Sequence, residues 1–403
     1  MNIGVDVTSF GNEEIINKTL SLSTSIFTAD LLDGFAALGK AGHFTLIAGE
    51  AHESFFRERF PQYRTVPVKS PPFSILSELS GGKISGAKYL KKFGVYRRIV
   101  ERLAPDILWF PFSVPYSIAR ANIPTLFTVH DMFRFHERGE TEGFDLITAE
   151  KNRIVAISSY TRDDIVRSLG YWREIAVIPN SVRLDLSAAR EVPGLSARGF
   201  ILDLNAYVEK KNPMTLLKAF DLIKDRCSHM LVFAGGYRDE NLFSRMQDFI
   251  RENGLAPRVM MLYQIAQEER NWLLKNAALF VTPSLFEGFG RTPVEACIAK
   301  VPVISTKETS LHEATMGLAS YVENPRDEKE LAGLMLEKLA HPESEERLES
   351  ISRTLREAYS AETCARKYLA IFAEMALRSA ENRGGVSTRL PRGVPFHRLP
   401  EAA

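Results

Sequence analysis

Ser284-Leu285-Phe286-Glu287-Gly288-Phe289-Gly290-Arg291-Thr292-Pro293-Val294-Glu295 decides how this chain is read. An apolar run from Ala278 to Pro283 precedes it, and helix-favouring Ala296 to Ala299 follows. A second strand-like run extends from Val301 to Ser305. Two carboxylates, Glu287 and Glu295, therefore flank a Gly-Phe-Gly turn between a strand and a helix. Open α/β sheets bind ligands at the carboxyl ends of their strands. Glycines at that place let backbone N–H groups approach an anion, which the following helix N-terminus also favours. The two carboxylates can accept hydrogen bonds from hydroxyl groups. An anion together with a polyol describes a sugar nucleotide.

The bulk numbers leave room for this reading. At 403 residues the chain exceeds what one core usually holds, so two or three domains are expected. With 45% apolar and 25% charged residues, the composition is that of a globular protein. A net charge of +1 provides no global field to recruit nucleic acid. Cys227, Cys297 and Cys364 are far apart, which argues against a disulfide framework or a structural zinc site and fits a reducing cytosol. No apolar run approaches the roughly 20 residues of a spanning helix. Strand-like Asn2-Ile3-Gly4-Val5, interrupted by Asp6, does not have a signal-peptide layout. A cytoplasmic protein is expected, with peripheral contact at the inner face of a membrane as an option.

Strand-like runs alternate with helical patterns, as in a parallel sheet wound with helices. In the first half, strands are expected at Ile3-Val5, Phe44-Ala48, Asp106-Phe110, Thr125-Val129, Ile154-Ile157 and Ala176-Ile178. Phe27-Leu38 and Ala87-Leu103 read as helices. In the second half, strands are expected at Phe200-Leu204, Met230-Ala234, Val259-Leu262, Leu279-Thr282, Val301-Ser305 and Ser320-Val322. Helices are expected at Pro213-Lys224, Glu240-Glu252, Gln267-Asn276, Pro293-Ala299 and Glu328-Leu339. Residues 183–198 are small, polar and aperiodic, as in an interdomain linker. The division is then a Rossmann-like acceptor-side domain at 1–185, a linker at 186–198 and a nucleotide-sugar domain at 199–360. A helix at 361–380 returns toward the first domain, and a tail at 381–403 is disordered. Two similar α/β halves suggest a ligand held in the cleft between them.

The segment from Asn276 to Pro325 resembles the donor-binding core of the retaining GT-B glycosyltransferases of family 4. Pro283 to Gly290, Glu295-Ala296, Val301-Pro302-Val303-Ile304-Ser305, Ser310-Leu311-His312-Glu313 and Pro325-Arg326-Asp327 carry the resemblance. Lys211-Asn212-Pro213 follows the first strand of the second half, where the family keeps a lysine for the diphosphate. Pro105-Asp106-Ile107, Thr128-Val129-His130-Asp131, Ala156 to Thr161 and Val177-Ile178-Pro179-Asn180 fall in the family's order. The resemblance covers residues 100 to 340 well and is thinner before them.

It implies transfer of a hexose of the mannose, rhamnose or glucose class from a nucleoside diphosphate sugar, with retention at the anomeric carbon. A glycan or lipid-linked acceptor in bacterial surface polysaccharide synthesis is implied as well. By resemblance, Glu287 contacts the donor sugar, Glu295 holds the ribose and Lys211 binds the diphosphate together with the Gly288-Phe289-Gly290 backbone. Arg291 adds positive charge near the phosphate. His130 faces the transferring sugar with Asp131 in support, and backbone atoms of Tyr263-Gln264-Ile265 read the base. No cofactor or metal is expected, since no Asp-x-Asp pair sits at a strand end and the family generally works without one.

Other readings compete at several positions. Thr292-Pro293-Val294-Glu295 has the form of a capping box with proline at the first helical position, which by itself explains Glu295. Asn212 reads as the N-cap that aims Lys211 at the cleft, and Lys210 reads as solvated. His130 alone reads as an ordinary strand-end histidine. Residues 69–106 carry eight Lys/Arg against three Asp/Glu. Within them residues 83–102, with Tyr89, Phe93 and Tyr96 among the basic side chains, suit either an anionic membrane surface or a solvated helix with an aromatic core face. The chain also departs from the family. Lys300 replaces a glycine, Arg291 replaces a leucine, and Ala206 stands where an arginine is common. Gly11 is the only glycine between Val5 and Leu32, with Ser23-Thr24-Ser25 standing where the family's glycine loop would be. Those departures keep two alternatives open, a sugar-nucleotide or glycan-binding protein without turnover and a sugar-nucleotide epimerase.

Overall fold

Continuous apolar runs such as Ile107-Leu108-Trp109-Phe110 are buried along their whole length. A parallel strand covered by helices on both faces requires this. The computed structural model describes residues 1–8, 10, 23–68, 95–111, 123–138 and 150–383. The first half contains β1 (Ile3–Asp6), α1 (Ser23–Ala37), β2 (Phe44–Gly49), α2 (Glu53–Arg59), β3 (Arg64–Val68) and α3 (Val95–Leu103). It continues with β4 (Ile107–Phe110), β5 (Thr125–Val129), α4 (Phe133–Arg138), β6 (Arg153–Ala156), α5 (Ser159–Leu169) and β7 (Ala176–Val177). The second half contains β8 (Phe200–Leu204), α6 (Pro213–Ile223), β9 (Met230–Gly235), α7 (Glu240–Glu252), β10 (Val259–Tyr263), α8 (Gln267–Asn276) and β11 (Leu279–Val281). After these come α9 (Arg291–Ile298), β12 (Val303–Thr306), α10 (Leu311–Ala314), β13 (Ser320–Val322), α11 (Glu328–Ala340), α12 (Glu345–Ala358) and α13 (Ala361–Arg383).

The strands form two parallel sheets, ordered β3-β2-β1-β4-β5-β6-β7 and β10-β9-β8-β11-β12-β13. Both are doubly wound. The order reverses between β1 and β4 in the first sheet, and between β8 and β11 in the second, where Ile201 pairs with Leu279 and Leu202 with Phe280. A crevice opens at the carboxyl ends of the strands at such a reversal. Lys211 follows β8 and Glu287 follows β11, so the topology alone brings the two loops together.

Helix α13 leaves the second domain and packs on the first. Its Cys364, Ala365, Tyr368, Phe372 and Met375 lie in the same core as Ile3, Phe35, Phe44 and Trp109. The indole of Trp109 donates to Thr128 Oγ1 at 3.1 Å, and Thr128 is 3.0 Å from the Tyr368 hydroxyl, so the buried polar atoms are paired. Arg153 and Glu374 form a 2.6 Å ion pair at the edge of the contact.

Several elements differ from the sequence reading. Strand β3 was not expected, because Pro67 within it weakens a strand signal; the strand lies at a sheet edge, where proline is tolerated. Helices α2, α4, α5, α10 and α12 were also unexpected; α2, α4 and α10 are short, and α5 and α12 are rich in charged residues. Helix α13 continues through Glu381 to Arg383 because no breaker precedes Gly384. Gly11, residues 83–94 with Tyr89 and Phe93, and residues 384–403 lie outside the described residues. In the described part of the basic segment, Tyr96 and Val100 of α3 are fully buried and Arg97 pairs with Glu101. Among the described residues, no helix is long and apolar enough to cross a membrane.

Phe372 is fully buried beside Trp109 and Phe44. Phe372→Ala is expected to lower unfolding stability by about 3–5 kcal/mol, read by guanidinium denaturation. A loss below about 1 kcal/mol would contradict the place of α13 in this core.

Candidate functional site

The loops after β8 and β11 are stitched together by the backbone and by Asn212. Leu285 N–H donates to the Lys210 carbonyl at 2.8 Å. Asn212 adopts a left-handed conformation at φ 57° and makes no N-cap hydrogen bond. Its Nδ2 instead donates to the Pro283 and Pro325 carbonyls at 3.1 and 2.6 Å. Asn212 occupies the N-cap position ahead of Pro213 as expected, but it fixes Lys211 by tying three loops together rather than by a capping hydrogen bond. Lys211 Nζ forms an ion pair with Glu287 Oε1, with only 15% and 12% of the two side chains exposed. The loop after β12 holds the glutamate from behind. Thr309 Oγ1 accepts from Glu287 N–H at 3.1 Å, and Ser310 Oγ donates to the Glu287 carbonyl at 2.9 Å. Beneath the pair, Asp203 is buried and accepts from Asn205 Nδ2. Burial pushes the Asp203 pKa up to about 7, against the opposing pull of Asn205 and Lys211.

The Gly-Phe-Gly turn divides its labour. Phe289 is buried and meets Tyr359 edge-on at 5.3 Å, anchoring the turn in the core. Gly290 has φ 88° and is the N-cap position of α9. The helix therefore begins at Arg291, and Thr292 lies inside it, 3.3 Å from Asn205 Oδ1. The capping-box reading of Thr292 and Glu295 is overturned, because the left-handed turn at Gly290 starts the helix earlier. Gly288 lies directly against the first domain. A Cβ there would fall 2.0 Å from the His130 carbonyl oxygen, and the Gly288 carbonyl accepts from Ser158 Oγ at 2.7 Å.

Three further contacts join the domains. Both oxygens of Glu313 accept from Ser159 N–H at 2.9 Å, placing a carboxylate at the N-terminus of α5. Lys210 Nζ sits 4.1 Å from the ring centre of Phe133, so it is not merely solvated. Arg291 does not project toward a phosphate as expected. It is buried, with ion pairs to Asp30 of α1 at 3.1 Å and to Glu295 at 2.8 Å. Arg270 is the second partner of Glu295. Burial disfavours the charge on Glu295, but the two guanidinium groups outweigh it and hold its pKa below the ordinary value. Burial raises Asp30 to about 6 despite Arg291. Glu295 is thus engaged by arginines on both oxygens.

His130 ends β5, and its Nε2 lies 2.8 Å from the Pro111 carbonyl. A carbonyl only accepts, so in the neutral ring the proton is on Nε2 and Nδ1 is an acceptor. Burial lowers the His130 pKa, which favours that neutral ring. Phe27 meets the imidazole edge-on at 5.0 Å. Asp131, expected to support His130, acts on it through its charge, while its carboxylate accepts from Phe133 N–H at 3.1 Å at the start of α4. Ser23-Thr24-Ser25 forms the first turn of α1. On the far side, Tyr263 is partly exposed and Arg238 covers its ring at 4.6 Å. Gln264 takes φ 54° with its N–H bonded to the Gly235 carbonyl, so Tyr263-Gln264-Ile265 is a defined turn at the end of β10.

The structure therefore joins Lys211, Glu287 and the glycine turn to His130 across the cleft, and diverts Arg291 and Glu295 into other contacts. Sequence reasoning missed Asp30, Asp203 and Arg270 as members of this region, and it placed Ser158 and Glu313 in matched segments without giving either a role. Ser158 also carried a local signal, as an N-cap serine ahead of α5.

Comparison with known proteins agrees with this geometry. The family described as "Glycosyl transferases group 1" matches residues 189–355, and "Glycosyltransferase Family 4" matches residues 26–186. An alpha-1,3/1,6-mannosyltransferase of Dictyostelium discoideum is 33% identical over 147 residues, covering 32% of this chain and 35% of the relative. O-antigen chain mannosyltransferase B of Escherichia coli is 28% identical over 222 residues, covering 52% of this chain and 56% of the relative. The chain thus spans between about a third and about half of the length of these relatives. Among solved structures, sucrose-phosphate synthase from Thermosynechococcus elongatus superposes with a TM-score of 0.69 at 16% identity, covering 94% of this chain and 100% of that one. An Anabaena protein in complex with UDP and glucose superposes with a TM-score of 0.65 at 14% identity, covering 93% and 100%. These structures share the two-domain GT-B fold.

Two outcomes follow from the geometry. Between pH 4 and about 7, folded Asp203 keeps a proton that the unfolded chain has released. That contribution favours folding at low pH and is lost as pH rises to about 7. In urea melts, wild type should therefore lose stability relative to Asp203→Asn across that window, and a flat or opposite difference would contradict the assignment. Gly288→Ala should force the domains apart at His130, seen as faster proteolysis of the 183–198 segment. An unchanged cleavage rate would contradict the close approach.

Proposed function

The chain belongs to the group 1 glycosyl transferases of family 4, and from that membership we propose that it transfers a mannosyl group from a nucleoside diphosphate sugar to a glycan or lipid-linked acceptor, with retention and without a metal. The observation that carries the proposal is the convergence of Lys211 and Glu287 at the β8/β11 reversal, facing the first domain across the cleft. A diphosphate leaving group gains negative charge as the bond to the sugar breaks, and fixed positive charge and N–H donors stabilise it best in a site shielded from water. Lys211 supplies the charge and the Gly288-Phe289-Gly290 backbone the donors. Glu287 accepts from sugar hydroxyls once Lys211 turns to the phosphate. Neutral His130 borders the sugar without placing a second cation beside the anomeric carbon. Tyr263-Gln264-Ile265 receives the base.

Mannose is preferred because both curated relatives named above are mannosyltransferases. The O-antigen relative supports a role in bacterial surface polysaccharide synthesis. Binding without turnover is the second reading, because Ala206 stands where the family commonly has an arginine beside the phosphates.

GDP-mannose, with UDP- and dTDP-sugars beside it, should be incubated with mannose-terminated acceptors and nucleoside diphosphate release measured. The proposal predicts acceptor-dependent release that survives chelation by EDTA and yields an α-linked product by NMR. Glu287→Ala should lower turnover by about 10²–10³-fold. Donor binding without release would support the binding protein, and an isomerised nucleotide sugar would identify an epimerase.

A further inference from the structure

Beside the donor site lies a cavity of about 510 Å³, broadly open to solvent, to which none of the donor contacts assigned above belongs. Helix α4 contributes Phe133 and His136, helix α5 contributes Tyr160, Asp164, Arg167 and Ser168, and the second domain contributes Phe286. Phe286 packs against Phe133 at 5.4 Å and against Tyr160 at 6.0 Å between ring centres. The cavity wall is thus completed by both domains. Phe286 is also the residue before Glu287, so whatever fills the cavity lies next to the sugar in transit.

The polar groups of the cavity are organised. Asp164 is buried and accepts from Ser168 Oγ at 3.0 Å. Both of its oxygens lie within hydrogen-bond distance of His136 Nε2, at 2.9 and 3.0 Å. That carboxylate fixes the imidazole, and its other nitrogen, Nδ1, is left for a ligand. Arg167 adds a charged donor at the wall.

This chemistry selects among ligands. The volume falls in the range of small-molecule sites, which combine aromatic walls with a few placed polar groups. A nucleoside diphosphate is served by Lys211 and the glycine turn on the other side of Phe286. A pyranose ring fits this cavity better. Phe133, Tyr160 and Phe286 offer aromatic surface to its C–H faces, and His136, Ser168 and Arg167 offer partners to its hydroxyls. We propose that this cavity is the subsite for a sugar ring of the acceptor, with His136 held in place by Asp164 to recognise a hydroxyl group. The inference rests on the reading of the chain as a glycosyltransferase.

The test uses saturation-transfer NMR on the full chain with methyl α-mannopyranoside and α-1,3-mannobiose. Wild type is compared with Tyr160→Ala and Arg167→Ala. Titration of GDP and UDP into the same samples serves as the control for folding and for the donor site. Saturation of sugar ring protons is expected in wild type. It should fall about tenfold in both variants, equivalent to losing one good contact, while nucleotide binding stays unchanged. No saturation of either sugar in wild type, or equal saturation in wild type and both variants, would overturn the proposal. Sugar binding that depends on Tyr160 without binding of either nucleotide would uphold the subsite and sink the donor reading, so the two failures are distinguishable.

Discussion

The meeting of Gly288 with the end of β5 is the constraint on which the rest of the site depends. A side chain at that position would collide with the His130 carbonyl oxygen, so only glycine allows the second domain to come this close. Ser158 holds the same residue from the first domain. One peptide unit therefore sets the distance between His130 and Glu287, its neighbour in sequence. A glycosyl transfer site needs that distance fixed, because catalytic groups from two domains act together only when held in register.

Beside the aromatic contacts of Phe286 with Phe133 and Tyr160, a group of charges joins the domains. Arg291 lies between Asp30 of the first domain and Glu295 of the second, and Arg270 completes the group. Removing a single member of such a buried group leaves an uncompensated charge, which costs far more than the group contributes as a whole. Glu313 is separate from this group, since it meets the backbone of α5.

The two-sheet architecture was legible because buried parallel strands leave largely apolar runs, such as Thr125–Val129 and Phe200–Leu204, which are buried along their whole length and whose bounds match the reading. The site was legible where chemistry is local in sequence: Glu287 beside its glycines, and Lys211 beside Asn212 and Pro213. What escaped depends on long-range contacts. Asp30 is one helical residue among many until α1 is docked against Arg291. Lys210 looks solvated until Phe133 arrives from the other domain. Thr292-Pro293-Val294-Glu295 satisfied every local rule for a capping box, yet the left-handed turn at Gly290 started the helix earlier. Arg291 was assigned by its proximity in sequence to the phosphate turn, whereas burial and two carboxylates claim it.

The central claim is that Lys211, Glu287 and the Gly288-Phe289-Gly290 turn form the donor site. The most direct measurement is the crystal structure of the chain bound to GDP or UDP. The account predicts the diphosphate against Lys211 Nζ and the turn's backbone N–H groups, with the Lys211–Glu287 pair opened and the base beside Tyr263-Gln264-Ile265. A nucleotide bound elsewhere, with that ion pair intact, would contradict it.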